Sequence, residues 1–241
     1  VPASDVGMAI GTRYLQPSLA PWRVKPGQTF IQLDIDPEEI GRNQQPDIGI
    51  EADAKAALAE LLKRIPRHNR KRSSRREELD AIKADYSAFF ANEGHRAPLA
   101  LAVRAALPDD GILVGEMTQV AYWCNTGAFP INQPRGYITP GYQGTLGFGF
   151  ATALGVKVAN PNRAVVSING DGGFMFTVQE LSTMAKHNIP LVAVVFNDNA
   201  FGNVKRIQQV SFAGRNIAVD LHNPDFLKLA GAFGVQGMRA N

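Results

Sequence analysis

Two apolar runs constrain the fold more than any other feature. "AVVSINGDGG" (164–173) and "PLVAVVFNDNAFGN" (190–203) each carry a stretch of β-branched and other apolar residues, then stop on glycine, asparagine and aspartate. A strand with one wet face alternates, whereas a strand covered on both faces reads as a near-continuous apolar run. Between them, "TVQELSTMAKHN" (177–188) has a helical period, with Thr177 and Glu180 at capping-box spacing. Strand, helix, strand predicts a parallel pair joined by a right-handed crossover, with both strands ending at one edge of the sheet. That edge is where open α/β sheets take their ligands.

The rest of the chain extends this pattern. "FIQLDI" (30–35) is β-rich, and Asp36 before Pro37 is placed to cap a short helix. "DAKAALAELLKRI" (53–65) repeats apolar residues at helical spacing, and "REELDAIKADYSAFF" and "LALAVRAALPDD" read as further helices. "GILVGEMT" is a strand running into a loop, and "GYQGTLGFGFATALGVKVA" (141–159) is a glycine-rich loop feeding a helix of small residues. The expected class is α/β: a mostly parallel sheet flanked by helices, preceded by a partial Rossmann-like α/β domain. The expected divisions are 1–66, a linker with one helix over 67–96, and 97–241. There is no internal repeat.

Charge is local. Residues 63–76, "KRIPRHNRKRSSRR", hold eight Lys or Arg and no acid. The whole chain has 25 bases against 22 acids, so outside this run acids outnumber bases. A basic run can grip nucleic acid, but this one has no interleaved aromatics and contains Pro66, Ser73 and Ser74, which favours a solvated linker. No apolar run reaches the roughly 18 residues of a membrane span. Cys124 is the only cysteine, so no internal disulfide forms, and a reducing cytoplasm is the simple expectation. A buried inert thiol is the expected state of Cys124. His68, His95, His187 and His222 show no ligand spacing, Trp22 and Trp123 read as packing residues, and 124–140 reads as a long irregular loop able to line a site or to cross the surface. The chain opens at Val1 without a signal-peptide core and reads as a piece of a longer one.

The chemistry concentrates at the two strand ends. Asp171 closes one strand and Asp198 follows the other, so the crossover brings two carboxylates together. Converging carboxylates repel unless a cation lies between them, and Mg²⁺ or Ca²⁺ accepts such oxygen ligands. Gly170, Gly172 and Gly173 surround Asp171, near the start of the helix expected over 176–187. Without Cβ atoms, Gly172 and Gly173 can turn their N–H groups toward a phosphate. A carboxylate, backbone donors and an Asn/Asp cluster together describe a site for a metal-bound diphosphate. "GTLGFG" (144–149) does not make a dinucleotide fingerprint: its glycines fall at 144, 147 and 149, no strong strand precedes it, and Asn169 stands where an acid would be needed.

The composite of G-D-G, helix, buried strand and N-D-N resembles the thiamine diphosphate-dependent enzymes of the acetolactate synthase-like family. Residues 30–62 resemble the second half of that family's central domain, and residues from Pro98 onward resemble its diphosphate-binding domain, cut short at the C-terminus. The resemblance implies thiamine diphosphate and Mg²⁺ (or Ca²⁺) as cofactors, and leaves FAD open. It implies Asp171, Asp198 and the Ala200 carbonyl as metal ligands, with Asp198 standing where Asn is usual. It implies contacts to the cofactor from Gly170, Gly172, Gly173, Thr118 and Gln119 at the diphosphate, and from the Gly144 carbonyl and Leu146 at the pyrimidine.

The implied reaction is decarboxylation of a pyruvate-like 2-oxo acid followed by carboligation to a second carbonyl. Val204 stands on the substrate side, where decarboxylase-like members carry a proton-transferring Glu, and its apolar character favours carboligation over simple decarboxylation. No catalytic residue is assigned: the activating Glu is expected in an N-terminal domain from a neighbouring subunit, so this chain alone is expected to be inactive and its parent a homo-oligomer. The alternatives are a simple 2-oxo acid decarboxylase or lyase of the same family, a non-catalytic phosphate- or nucleotide-binding α/β module, and a nucleic-acid binder using residues 63–76.

Overall fold

The computed structural model describes residues 4–13, 27–69, 73–92, 96–125 and 129–240. Two compact units divide at Ser74 and Arg75. In the first, β1 (Val6–Ile10), β2 (Thr29–Asp34) and β3 (Ile48–Glu51) form a parallel sheet in that order. Asp36 caps as expected, its Oδ1 accepting from the Glu38 N–H at 3.0 Å, although the helix it starts is a single 3-10 turn, Pro37–Glu39. The buried Gln32 of β2 closes this turn back on the sheet. Its Nε2 donates to the Glu39 carbonyl at 2.9 Å and its Oε1 accepts from the Gly41 N–H at 2.9 Å, so neither end of the amide is left unsatisfied in the core. Helix α1 (Ala54–His68) is capped by Asp53 and continues through Pro66.

The basic run is partly accounted for by local ion pairs. Lys63 and Arg64 reach Glu60 on α1 at 2.7 and 3.6 Å, Arg75 pairs with Glu78, and Arg76 lies 3.8 Å from Asp80. Such solvent-exposed pairs are screened, contribute little to stability and leave the surface solvated. Residues 70–72 of the run lie outside the described residues.

In the second unit, α2 (Arg76–Asn92) and α3 (Arg96–Ala106) lead into β4 (Ile112–Gly115). The order then runs α4 (Gln119–Trp123), β5 (Tyr137–Ile138), α5 (Phe148–Ala159), β6 (Val165–Gly170), α6 (Asp171–Met175), α7 (Leu181–Lys186), β7 (Val192–Phe196), α8 (Gly202–Ser211) and α9 (Phe226–Ala232). The sheet order is β5-β4-β6-β7 and every pairing is parallel. Its two faces pack separately. Leu113 and Ile168 join Ala100, Val120 and Ala121 of α3 and α4 on one side. Ile112, Val114 and Val165 join Phe150, Leu154, Phe174 and Leu181 on the other. Both faces are therefore covered around β4 and β6, with the edge strand β7 partly buried, which is why these strands read as near-continuous apolar runs. Among the described residues, no helix is long and apolar enough to cross a membrane.

One local expectation is corrected. The single helix expected over 176–187 with a Thr177–Glu180 capping box is replaced by a 3-10 turn, Val178–Glu180, and the short α7, while α6 already starts at Asp171. Thr177 makes no capping bond; its Oγ1 donates to the Gly147 carbonyl at 3.3 Å. Glu180 accepts from the Thr183 hydroxyl at 2.6 Å instead of reaching back. A tertiary acceptor has displaced a local cap. Gly172 and Gly173 thus lie inside α6 rather than ahead of a later helix.

Candidate cofactor site

Strand register builds the site. β6 and β7 pair so that Gly170 faces Phe196, and the next residues, Asp171 and Asn197, leave the sheet side by side. A cavity of about 450 Å³ opens at this carboxyl edge. All eleven residues singled out in the sequence line it: Thr118, Gln119, Gly144, Leu146, Gly170, Asp171, Gly172, Gly173, Asp198, Ala200 and Val204. Thr118 caps α4, its Oγ1 accepting from the N–H groups of Val120 and Ala121 at 3.1 and 3.2 Å. None of the described residues of 124–140 lines the cavity.

Asp171 is 2% exposed. Its Oδ1 accepts from the Gly172 N–H at 2.8 Å, and its Oδ2 accepts from Asn223 Nδ2 at 2.6 Å. Burial, reinforced by the charge of Asp171, raises the pKa of Asp198 above the usual carboxylate range. A carboxylate whose charge is disfavoured by burial and by a neighbouring carboxylate, beside an open cavity, is suited to a cation. Among the described residues no three of His, Cys, Asp and Glu come together as a metal cluster, so any cation here needs backbone or amide oxygens as well. A short antiparallel bridge joins Ala200 to Asp220, but its bonds run from Phe201 N–H to Val219 O and from Leu221 N–H to Asn199 O, both 2.8 Å. The Ala200 carbonyl takes no part in that bridge.

The glycines are required by close approach. A Cβ on Gly172 would come 2.5 Å from Phe201 Cε1, and one on Gly173 would come 2.5 Å from Glu116 Cδ. Gly147 has φ +83°, in the left-handed region that a side chain disfavours, and a Cβ there would meet Phe176 Cβ at 2.9 Å.

Three participants escaped the sequence reading. Glu116 is buried, 2% exposed, and burial pushes its carboxyl up to about 7. Asn223 reaches the site from the segment before α9. Tyr122, on α4, lines the cavity with Asn203, whose Nδ2 donates to its hydroxyl at 3.4 Å. Glu116 and Asn223 have no local motif to betray them, because their partners lie 31 and 52 residues away. The bland expectations elsewhere fit the structure. Cys124 is buried, with its thiol pushed up to about 12 by burial, and Trp123 packs against the core with its ring 6.4 Å from Phe89. Trp22 and His95 lie outside the described residues.

Comparison with known proteins agrees with this geometry. The C-terminal TPP binding domain of thiamine pyrophosphate enzymes matches residues 116–241, and the central domain of the same enzymes matches residues 1–61. A probable acetolactate synthase large subunit from Methanococcus aeolicus is 32% identical over 98% of this chain and 43% of its own length. The acetolactate synthase isozyme 2 large subunit of Escherichia coli is 32% identical over 88% of this chain and 38% of its own. A probable 2-ketoarginine decarboxylase from Pseudomonas aeruginosa is 32% identical over 96% of this chain and 41% of its own. The chain thus spans about two fifths of the length of these relatives. With the TPP binding domain match covering every cavity-lining residue but Leu99 and the central-domain match covering the first sheet, the chain belongs to the thiamine pyrophosphate enzyme family.

Proposed function

We propose that the chain binds thiamine diphosphate through a divalent cation, Mg²⁺ in the first instance. We further propose that its parent protein decarboxylates a 2-oxo acid and joins the remaining fragment to a second carbonyl, as an acetolactate synthase does. The observation that carries this is the cavity at the β6–β7 edge, where Asp171 and Asp198 converge beside glycines that tolerate no Cβ. Asp171, Asp198 and the Ala200 carbonyl would hold the cation. The N–H groups of Gly172 and Gly173 would serve the diphosphate, with Gly172 giving up its bond to Asp171 Oδ1 to do so. Gly170, Thr118 and Gln119 would close the diphosphate end, while the Gly144 carbonyl and Leu146 would receive the pyrimidine end. Thiamine diphosphate, when bound, supplies an electron sink for the carbon that loses carbon dioxide.

The chain's own contribution at the reacting end is to withhold a proton. Val204 lines the cavity at the first turn of α8 with no ionisable atom, where a carboxyl would donate one. That favours reaction with a second carbonyl over quick protonation. Simple decarboxylation is the second reading, supported by the relative named as a probable 2-ketoarginine decarboxylase. Exposed Val204, Ile207 and Val210 on α8 fit a homo-oligomeric parent, and the buried Cys124 thiol fits a reducing compartment such as the cytoplasm.

Calorimetric titration of the chain with thiamine diphosphate tests the first step. Binding is expected with Mg²⁺, to be lost with chelator and lost in Asp171→Ala. Binding indifferent to both would overturn the reading. Product analysis of the parent protein with pyruvate distinguishes the two reactions: a carboligated hydroxy-keto acid supports the first, free aldehyde the second.

A further inference from the structure

The Glu116 side chain reaches both Gly147, next to Leu146, and Gly173 of α6, but is not among the residues that line the cavity. It is fixed at the end of β4, its N–H donating to the Ile168 carbonyl at 2.9 Å and its own carbonyl accepting from the Thr118 N–H at 2.8 Å. Its Oε1 accepts from the N–H of Gly147, the residue after Leu146. The same carboxyl packs against Gly173 so closely that a Cβ there would lie 2.7 Å from Oε2. The Gly147 carbonyl is held from the other side by the Thr177 hydroxyl at 3.3 Å. Gly147 is therefore gripped through both its backbone polar groups, by β4 and by the segment after α6.

The Glu116 Oε2 and Asn169 Oδ1 atoms are buried without a hydrogen-bond partner among the described residues. Both lie against Gly149, where a Cβ would come 3.3 Å from the first and 2.5 Å from the second. Buried oxygens without donors are costly, and they persist where a site over-determines them.

We propose that Glu116 is a positioning residue of the cofactor site, tying the turn that carries Gly144 and Leu146 to the first turn of α6 (Asp171–Gly173) so that the two ends of the cofactor are received at a fixed separation. This rests on the thiamine diphosphate reading above. It assigns Glu116 no contact with cofactor or substrate; it acts through the Gly147 backbone. It also separates the two ends: the diphosphate end is built by α6 and the strand ends, the pyrimidine end by the turn that Glu116 holds.

The test titrates the 241-residue chain with two probes in Mg²⁺, thiamine diphosphate and inorganic pyrophosphate, and follows amide hydrogen exchange across residues 144–148. Loss of one buried hydrogen bond to a carboxyl is expected to weaken thiamine diphosphate binding about tenfold in Glu116→Ala. Pyrophosphate affinity should stay near wild type, and the Gly147 amide should exchange faster. Glu116→Gln keeps the acceptor for Gly147 and brings a donor toward Asn169, so it should restore both binding and protection. If Glu116→Ala does not fold, Glu116→Asp replaces it, its carboxyl drawn back from Gly147, with the same pattern expected. Equal weakening of both probes overturns the proposal in favour of a general structural role. So does wild-type behaviour of the Ala variant, or a Gln variant that behaves like Ala. A wild-type chain that binds neither probe overturns the thiamine diphosphate reading itself, and with it the cofactor half of this proposal; unchanged Gly147 exchange in Glu116→Ala would then overturn the tether as well.

Discussion

Asn223 donates through Nδ2 to the Asp171 carboxylate at 2.6 Å, and the same amide nitrogen lies 2.9 Å from Asn197 Oδ1 and 3.2 Å from Asn199 Oδ1. One carboxamide thus joins the end of β6 to the loop after β7. It fixes the orientation of the carboxylate proposed to hold the cation, as partners behind a metal ligand do. Asn223→Ala is expected to weaken Mg²⁺-dependent thiamine diphosphate binding about 10–100-fold, read by calorimetric titration.

Gly172 and Gly173 make a prediction about packing rather than chemistry. In Gly172→Ala the new methyl would meet Phe201 at 2.5 Å and Leu221 Cδ1 at 3.0 Å. Overpacking of this kind costs about 1–3 kcal/mol, so the unfolding free energy from denaturant titration should fall by that amount. Cofactor binding should be lost as well, because Phe201 lines the cavity and must move.

Glu116 gives the pH dependence. Burial raises its folded-state pKa from 4.5 to about 7, so between those values the folded chain holds a proton that the unfolded chain has released. Stability therefore falls as pH rises from 4.5 through about 7 and is level above that. In Glu116→Gln that descending limb should be missing from the unfolding free energy measured against pH. A wild-type profile retained in the variant would assign the limb to another group.

Phe150 anchors the face of the sheet that carries α5. It is fully buried, its ring 5.0 Å from Phe174, which in turn lies 6.0 Å from Phe226 on α9. Phe150→Ala is expected to cost about 3–5 kcal/mol in denaturant unfolding. Phe174 belongs to α6 with Asp171, so cofactor affinity should fall in the same variant.

The sequence disclosed what local pattern encodes and missed what only the fold brings together. β6 and β7 were legible because each is a near-continuous run of β-branched and other apolar residues whose side chains join cores on both faces of the sheet. β1 and β3 were not, since "VGMAI" and "IGIE" are short and each is interrupted by a glycine. β5 is only two residues long, inside what read as an irregular loop. Asp171 and Asp198 were visible because a parallel crossover must bring their strand ends together. Glu116 and Asn223 were invisible because a lone buried acid and a lone loop asparagine carry no periodicity. The Thr177 cap was misread for the converse reason: the local motif was present, but Gly147 offered its hydroxyl another acceptor.

The pairing of Gly170 with Phe196 has a consequence for tolerance to error. Ala193 and Val195 pack into the core on one face of β7 and Phe196 on the other. A slip of one residue along β6 would exchange those faces, and it would also present Asp198 where Asn197 now emerges. The apolar side chains in the middle of β7 therefore act as a ruler that measures where the chain leaves the sheet. An insertion or deletion within β7 should disable cation binding without touching a single proposed ligand.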